Sequence, residues 1–226
     1  MFELISDYQS QLLDAFWVTI KLTVVSAIGA LVLGTVVAAM RVSPIPVARW
    51  IGAAYVTIFR NTPLTLIIVF CSLGLSTTLG LKLASGGRDD IAENNFRWAL
   101  VGLSVYTAAF VCESLRAGIN TVPLGQSEAG RSLGLTFGQN LRLIVLPQAF
   151  RAVIAPLGSV LIALTKNSTI ASAIGVAEAA LLMAGMNETE AAPLQIGAIF
   201  ALGFVILTLP MGLLFGWLAK RFEVAR

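Results

Sequence analysis

Residues 16–40 read FWVTIKLTVVSAIGALVLGTVVAAM, with Lys21 as the one charged side chain in the stretch. A helix rises about 1.5 Å per residue, so this segment is long enough to cross roughly 30 Å of hydrocarbon. The segment before it, MFELISDYQSQLLDAF, is acidic, whereas a secretory leader starts basic. The stretch is therefore read as a span that stays in the mature chain. Four more apolar stretches follow, at about 53–80, 97–115, 153–176 and 195–218. The expected fold class is an all-α membrane protein with five transmembrane helices, organised as a single permease domain over 1–226.

Composition supports lipid as the solvent. Of 226 residues, 57% are hydrophobic and only 12% charged, and the mean hydropathy is +0.87. Soluble domains are about one quarter charged, and these few charges cannot cover a water-facing surface. The net charge of +3 is mild. Its distribution points to membrane topology and away from nucleic acid. The chain has no histidine, which removes the commonest general base and metal ligand. Cys71 and Cys112 stand alone in apolar stretches and read as small buried hydrophobes, with no metal or disulfide spacing.

Charge alternates along the connections. The N-terminal segment carries Glu3, Asp7 and Asp14, and the next connection carries Arg41, Arg49 and Arg60. The 81–96 connection is mixed and is expected to be the one sizeable outer loop, with a solvated turn at Ser-Gly-Gly-Arg-Asp-Asp. The 116–151 connection carries Arg116, Arg131, Arg142 and Arg151 against the single acid Glu128. Glu178, Glu188 and Glu190 follow, then Lys220, Arg221 and Arg226. The positive-inside rule places the N-terminus outside and the C-terminus in the cytoplasm, a parity that five spans satisfy. Trp17, Trp98 and Trp217 fall near span ends, as interface anchors do.

The long basic connection contains SEAGRSLGLTFGQNLRLIVLPQA, residues 127–149. Pro123 suits the first turn of a helix, and Glu128 lies early in that helix, on the side its dipole favours. Gly134 can stop the helix by taking positive φ. Thr136 and Gln139 match a capping box, opening a second short helix from Phe137 toward Leu146 that Pro147 ends or kinks. The expected form is helix, glycine elbow, helix. Leu133, Leu135 and Phe137 on that elbow pack against the protein's own spans, lie in the membrane interface or dock a partner.

A second polar run, Leu164-Thr165-Lys166-Asn167-Ser168-Thr169-Ile170-Ala171-Ser172, lies inside the fourth apolar stretch. Lys166 at membrane depth must be paired, snorkelled or turned to a cavity. Asn167, Ser168 and Thr169 offer donors and acceptors suited to an amino acid, or else to bonds between helices. Arg60, Asn61 and Thr62 precede the second span, where Arg60 is either a topology anchor or part of an exit gate. Glu113 and Arg116 sit three apart on one helix face, which predicts a local ion pair.

These segments resemble a known family. Glu128-Ala129-Gly130, three residues, Gly134, nine residues, Ile144, one residue and Leu146-Pro147 match the EAA loop of ABC-importer permeases at every fixed position except Gly130, where alanine is usual. Arg60-Asn61-Thr62-Pro63 resembles the RNTP segment of the polar amino-acid branch, and Glu113 to Ile119 resembles its E-x-x-R-x-G-I. The TKNSTIAS run looks closest to permeases of actinobacterial glutamate importers. The resemblance implies a type I permease fold carrying L-glutamate across the plasma membrane. It also implies a cytoplasmic coupling helix, with Glu128, Ala129, Arg131, Leu133, Gly134, Leu135 and Phe137 seated on an ATPase. The implied partners are a second permease chain, two ATPase subunits and an extracytoplasmic amino-acid-binding protein. The chain lacks any GxxxxGK[ST] motif, so ATP and Mg are expected in the ATPase and no cofactor or catalytic residue here. The alternatives are a secondary transporter or channel, which leaves the EAA pattern unexplained, and an intramembrane enzyme, which lacks a nucleophile with a base.

Overall fold

A computed structural model describes residues 2–84 and 90–222. Among these the regular elements are all helical. A short α1 (Phe2–Asp7) leads into α2 (Gln9–Val42), and α3 (Pro46–Asn61) is followed by α4 (Leu64–Val69) with a π-helical continuation over Phe70–Thr78. Next come α5 (Asp90–Asn120), α6 (Leu124–Ser132), α7 (Phe137–Asn140), a π turn over Leu141–Val145 and α8 (Leu146–Asn167). A 3-10 segment (Ser168–Ile174), α9 (Ala179–Thr189) and α10 (Pro193–Phe222) complete the chain. Four helical stretches are long and apolar enough to cross a membrane, and α3 with α4 and its continuation makes a fifth if that bent pair is one span.

The pairing of helices follows from who touches whom. Along α2 and α5 the contacts climb together. Lys21 lies over the Phe96 ring, a Cβ on Gly29 would meet Ser104, and one on Gly34 would lie 2.7 Å from Val111 Cβ. The two helices are therefore parallel and approach through small residues, as helices do in lipid where no hydrophobic force drives them together. Gly118 meets Val153 while the Tyr106 end of α5 meets Leu164 and Asn167, so α5 and α8 are antiparallel. Gly158 meets Phe215 and Gly212 meets Ile162, so α8 and α10 are antiparallel too. The π segment returns along α5, with Ser72 Oγ donating to Asn95 Oδ1 at 2.9 Å. Strand-free alternation of this kind is what five passes require.

Several expectations are corrected. The second stretch is not one rod, because Thr62 is extended (φ −96°, ψ 132°) and the two halves bend by 103°. Pro63 disfavours helical backbone at the residue before it and donates no N–H, so the break falls there. The third helix starts at Asp90 rather than about 97, and Asn94 and Asn95 are helical. They tie the surrounding chain: Asn94 Oδ1 accepts from Leu83 N, and Asn95 Nδ2 donates to Ile174 O. Residues 85–89, most of the expected solvated turn, lie outside the described residues. The fourth helix starts at Leu146, so Pro147 neither ends nor breaks it. The wide π turn just before supplies the space, and Pro147 occupies the opening turn of α8, where a missing N–H costs nothing. Trp98 is buried and donates to Leu81 O, so it is a packing residue and not an interface anchor.

A further helix, α9, stands where sequence periodicity gave only a connection. Its N-cap is Glu178, whose Oε1 accepts from Leu181 N at 3.0 Å while Oε2 is buried without a partner. Thr19 Oγ1 of α2 accepts from Ala179 N and locks that cap to the bundle. Burial pushes the Glu178 carboxyl up from 4.5 to about 7, against the pull of the backbone N–H groups. The folded state thus holds a proton that the unfolded chain has released. Its stabilising contribution is complete below 4.5 and is lost as pH rises through about 7. We expect the unfolding temperature in detergent to fall across that window, and Glu178→Gln to flatten the fall. An unchanged pH profile in the Gln variant would refute the assignment.

Candidate functional site

Two local structures stand out, an exposed elbow and a largely apolar cavity with a few polar groups at its walls. The elbow is built from neighbouring residues. Pro123 caps α6, which stops at Leu133, and Gly134 then takes φ 83°. A side chain there would be strained by about 1–2 kcal/mol, which explains the glycine. Thr136 N donates to Gln139 Oε1 at 2.9 Å and Gln139 N donates to Thr136 Oγ1 at 3.4 Å, the reciprocal cap expected. Glu128 is exposed in the second turn of α6 and not the first. Ala129 and Arg131 are exposed as well, and Leu135 is half-buried. The tip carries two apolar groups in the open, Leu133 at 83% and Phe137 at 57% exposure.

Gly130 is where the two arms of the elbow touch. It is buried, and a Cβ there would lie 2.6 Å from Ile144 Cδ1 and 2.7 Å from Asn140 Oδ1. The buried Asn140 donates from Nδ2 to Ser127 O at 2.9 Å and to Ser127 Oγ at 3.1 Å, pinning α7 to α6. Glycine at 130 and asparagine at 140 are therefore one fitted pair, a reason for the glycine that its position in sequence does not reveal.

The cavity lies between α5 and α8. It has a volume of about 340 Å³ and is lined by Tyr106, Thr107 and Phe110 on one side and Ser159, Val160 and Asn167 on the other. That volume is at the small end of ligand pockets, which run from about 300 to 1,000 Å³. Thr107 is 2% exposed and its Oγ1 has no hydrogen-bond partner. Asn167 closes α8 at the same cavity. The walls thus combine aromatic faces with unspent polar groups, and no acid is among the lining residues.

The other polar residues singled out from sequence divide. Arg60 sits over the ring of the cavity-lining Phe110, 5.7 Å from its centroid. It also lies 3.5 Å from Glu113. Glu113 takes its main partner, Arg41, from α2, and the local Arg116 contact is the long one at 4.0 Å. Ser168 and Thr169 donate to Thr165 O and Lys166 O, and Asn61 and Thr62 donate to Thr57 O and Ile58 O. These four hydroxyl and amide groups serve their own helices. Lys166 is exposed and forms no ion pair among the described residues. Tyr106, Thr107, Phe110 and Ser159 were not legible as site residues. The only trace of them is the i, i+1, i+4 grouping in YTAAF, which an ordinary packed helix also shows.

This bundle with its exposed elbow matches known proteins over its whole length. Residues 15–224 match the family described as the binding-protein-dependent transport system inner membrane component. The chain belongs to that family. Among its relatives, the glutamate transport system permease protein GluC of Corynebacterium efficiens is 59% identical over 98% of both chains. The GluC protein of Corynebacterium glutamicum is 56% identical over the same share. A probable glutamine ABC transporter permease of Bacillus subtilis, GlnM, is 37% identical over 96% of this chain and 95% of its own. In structure, an amino acid ABC transporter crystallised with histidines superposes with a TM-score of 0.86 over 98% of both chains at 26% identity. The methionine transporter MetNI shares the fold, with a TM-score of 0.78 at 20% identity. This permease therefore has the type I importer fold, and its family is that of an inner membrane component.

The Gly130 pair gives a test within the permease. Gly130→Ala should lower the unfolding temperature and loosen the elbow, read as faster proteolysis near Arg131. Combined with Asn140→Ala, which alone loses the two bonds to Ser127, the total loss should be smaller than the sum of the two single losses, because the double variant lacks one of the two atoms that the new methyl strikes. Strict additivity of the two changes would show that the residues do not act as a pair.

Proposed function

We propose that this permease is one of two membrane chains of an ATP-driven importer that carries L-glutamate into the cell. The reading is supported by the identity with two corynebacterial glutamate permeases along almost the whole chain. Its N-terminus lies outside and its C-terminus in the cytoplasm, as the arginines at the α2, α5 and α10 C-terminal ends favour. In this arrangement the elbow faces the cytoplasm. Leu133 and Phe137 enter a groove of an ATPase subunit, and Glu128, Ala129, Arg131, Gly134 and Leu135 hold or flank that tip. A partner is supported by two large apolar groups left open at the end of a rigid, doubly capped lever. The second permease chain, a pair of ATPases using ATP and Mg, and an extracytoplasmic binding protein complete the assembly.

The substrate passes beside Asn167. Asn167 presents a neutral amide to the amino acid's polar groups, and Tyr106 and Phe110 cover its carbon chain. Work reaches the cavity mechanically, since the elbow continues through the π turn into α8, which carries Asn167 at its far end. Closure of the ATPases tilts α8 against α5 and changes the cavity between them.

Two variants separate these roles in proteoliposomes holding the full importer. Leu133→Asp is expected to abolish co-purification of the ATPase while the permease still folds, because the side chain is 83% exposed. Asn167→Ala is expected to keep the ATPase bound and to reduce glutamate uptake about tenfold, the order of one lost hydrogen bond. Retained assembly in the first case, or unchanged uptake in the second, would overturn the corresponding assignment.

A further inference from the structure

The helix α3 is distinct from every other element. It has 16 residues and is about 24 Å long. It turns 103° away from the α4 segment that follows. One face is fitted to the bundle. Val56 packs with Val37, Ala38 and Cys112. Gly52 lets the Arg41 side chain pass, and Tyr55 donates from its hydroxyl to Val105 O at 2.6 Å. The opposite face carries Val47, Trp50, Ile51 and Ile58, which are 65%, 72%, 46% and 58% exposed. Their spacing of three, four and seven draws one helical stripe. No element among the described residues covers it.

The charge around that stripe has one sign. Residues 41–60 contain Arg41, Arg49 and Arg60 and no acid. Arg41 and Arg60 meet Glu113, but that carboxylate is shared with Arg116, which leaves the cluster two positive charges in excess. Arg49 is exposed and spends only Nη1, on Ser43 O and Pro44 O, each at 3.0 Å. Its other donors have no protein partner among the described residues.

We propose that α3 lies in the plane of the membrane interface at the arginine-rich end, with Arg49 holding the phosphate of an anionic phospholipid. An amphipathic helix with a basic polar side and tryptophan at its border partitions in this way. Anionic headgroups supply the negative charge that residues 41–60 lack. A second copy of the chain is a poorer occupant, because the same residues of that copy carry no acid to answer the positive charge. The contact is mechanically connected. The C-terminal turn of α3 holds Arg60 on Phe110, so a helix drawn to the headgroups presses on the cavity wall.

The test uses the assembled importer in nanodiscs with or without phosphatidylglycerol. A fluorophore on Val47→Cys is specific, since Cys71 and Cys112 are buried. It should be quenched by lipids bearing a nitroxide near the headgroup and not by a water-soluble quencher. Phosphatidylglycerol retained through purification should fall about fivefold in Arg49→Gln, the scale of one surface charge, and be kept in Arg49→Lys. A label quenched from water, or shielded from lipid and coupled to a label on a second permease chain, would overturn the proposal. So would equal lipid retention by Arg49→Gln and the unaltered chain.

Discussion

The Glu113 carboxylate organises one end of this bundle. It stands where α2, α3 and α5 meet, with Arg41, Arg60 and Arg116 around it. Beside a lipid phase such charges have to find one another, because water is scarce and hydrocarbon cannot solvate them. Arg41 ties α2 and Arg60 ties α3 to the Glu113 carboxylate of α5, which holds α3 across the ends of the other two. The break at Thr62–Pro63 then follows, since the chain must turn from that crosswise position into the bundle. Arg60 of the same cluster lies over the Phe110 ring, which lines the cavity between α5 and α8.

The opposite end is held by neutral polar groups. Asn94 and Asn95 reach Leu83 N, Ser76 Oγ, Ser72 Oγ and Ile174 O, joining the π segment and the 3-10 segment to α5. Between the two ends leucine and isoleucine fill the core, and small residues let backbones approach closely, as at Gly34 against Ala108 and Val111. Close backbone approach supplies dispersion contact, the attraction that remains when the solvent is as apolar as the side chains. The cavity survives between two well-held ends because α5 and α8 place aromatic and small polar residues there instead of a tight glycine contact.

Local chemistry was legible in the sequence and long-range partnership was not. Gly134, the Thr136–Gln139 cap and the helix start at Pro123 each depend on residues within a few positions, so their outcome can be reasoned from propensity. Pro147 misled because a π turn five residues long changes what the following proline meets. Glu113 paired with Arg116 as its spacing suggests, yet its main partner came from 72 residues away. Asn167 was visible as a polar group in an apolar span, whereas Thr107 looks like any small residue of a packed helix until the structure shows its hydroxyl buried and unpaired beside the same cavity.

The sequence by itself determined the solvent, the number of apolar stretches, the alternation of charge and the elbow, because hydrophobicity and backbone preference are properties of short segments. Tertiary structure decided that the second stretch breaks into a crosswise helix and a crossing one. It also decided which arginines share Glu113, why residue 130 is glycine, and which side chains face the cavity. Those outcomes depend on the distance between groups far apart in the chain, and that distance exists only once the helices have packed.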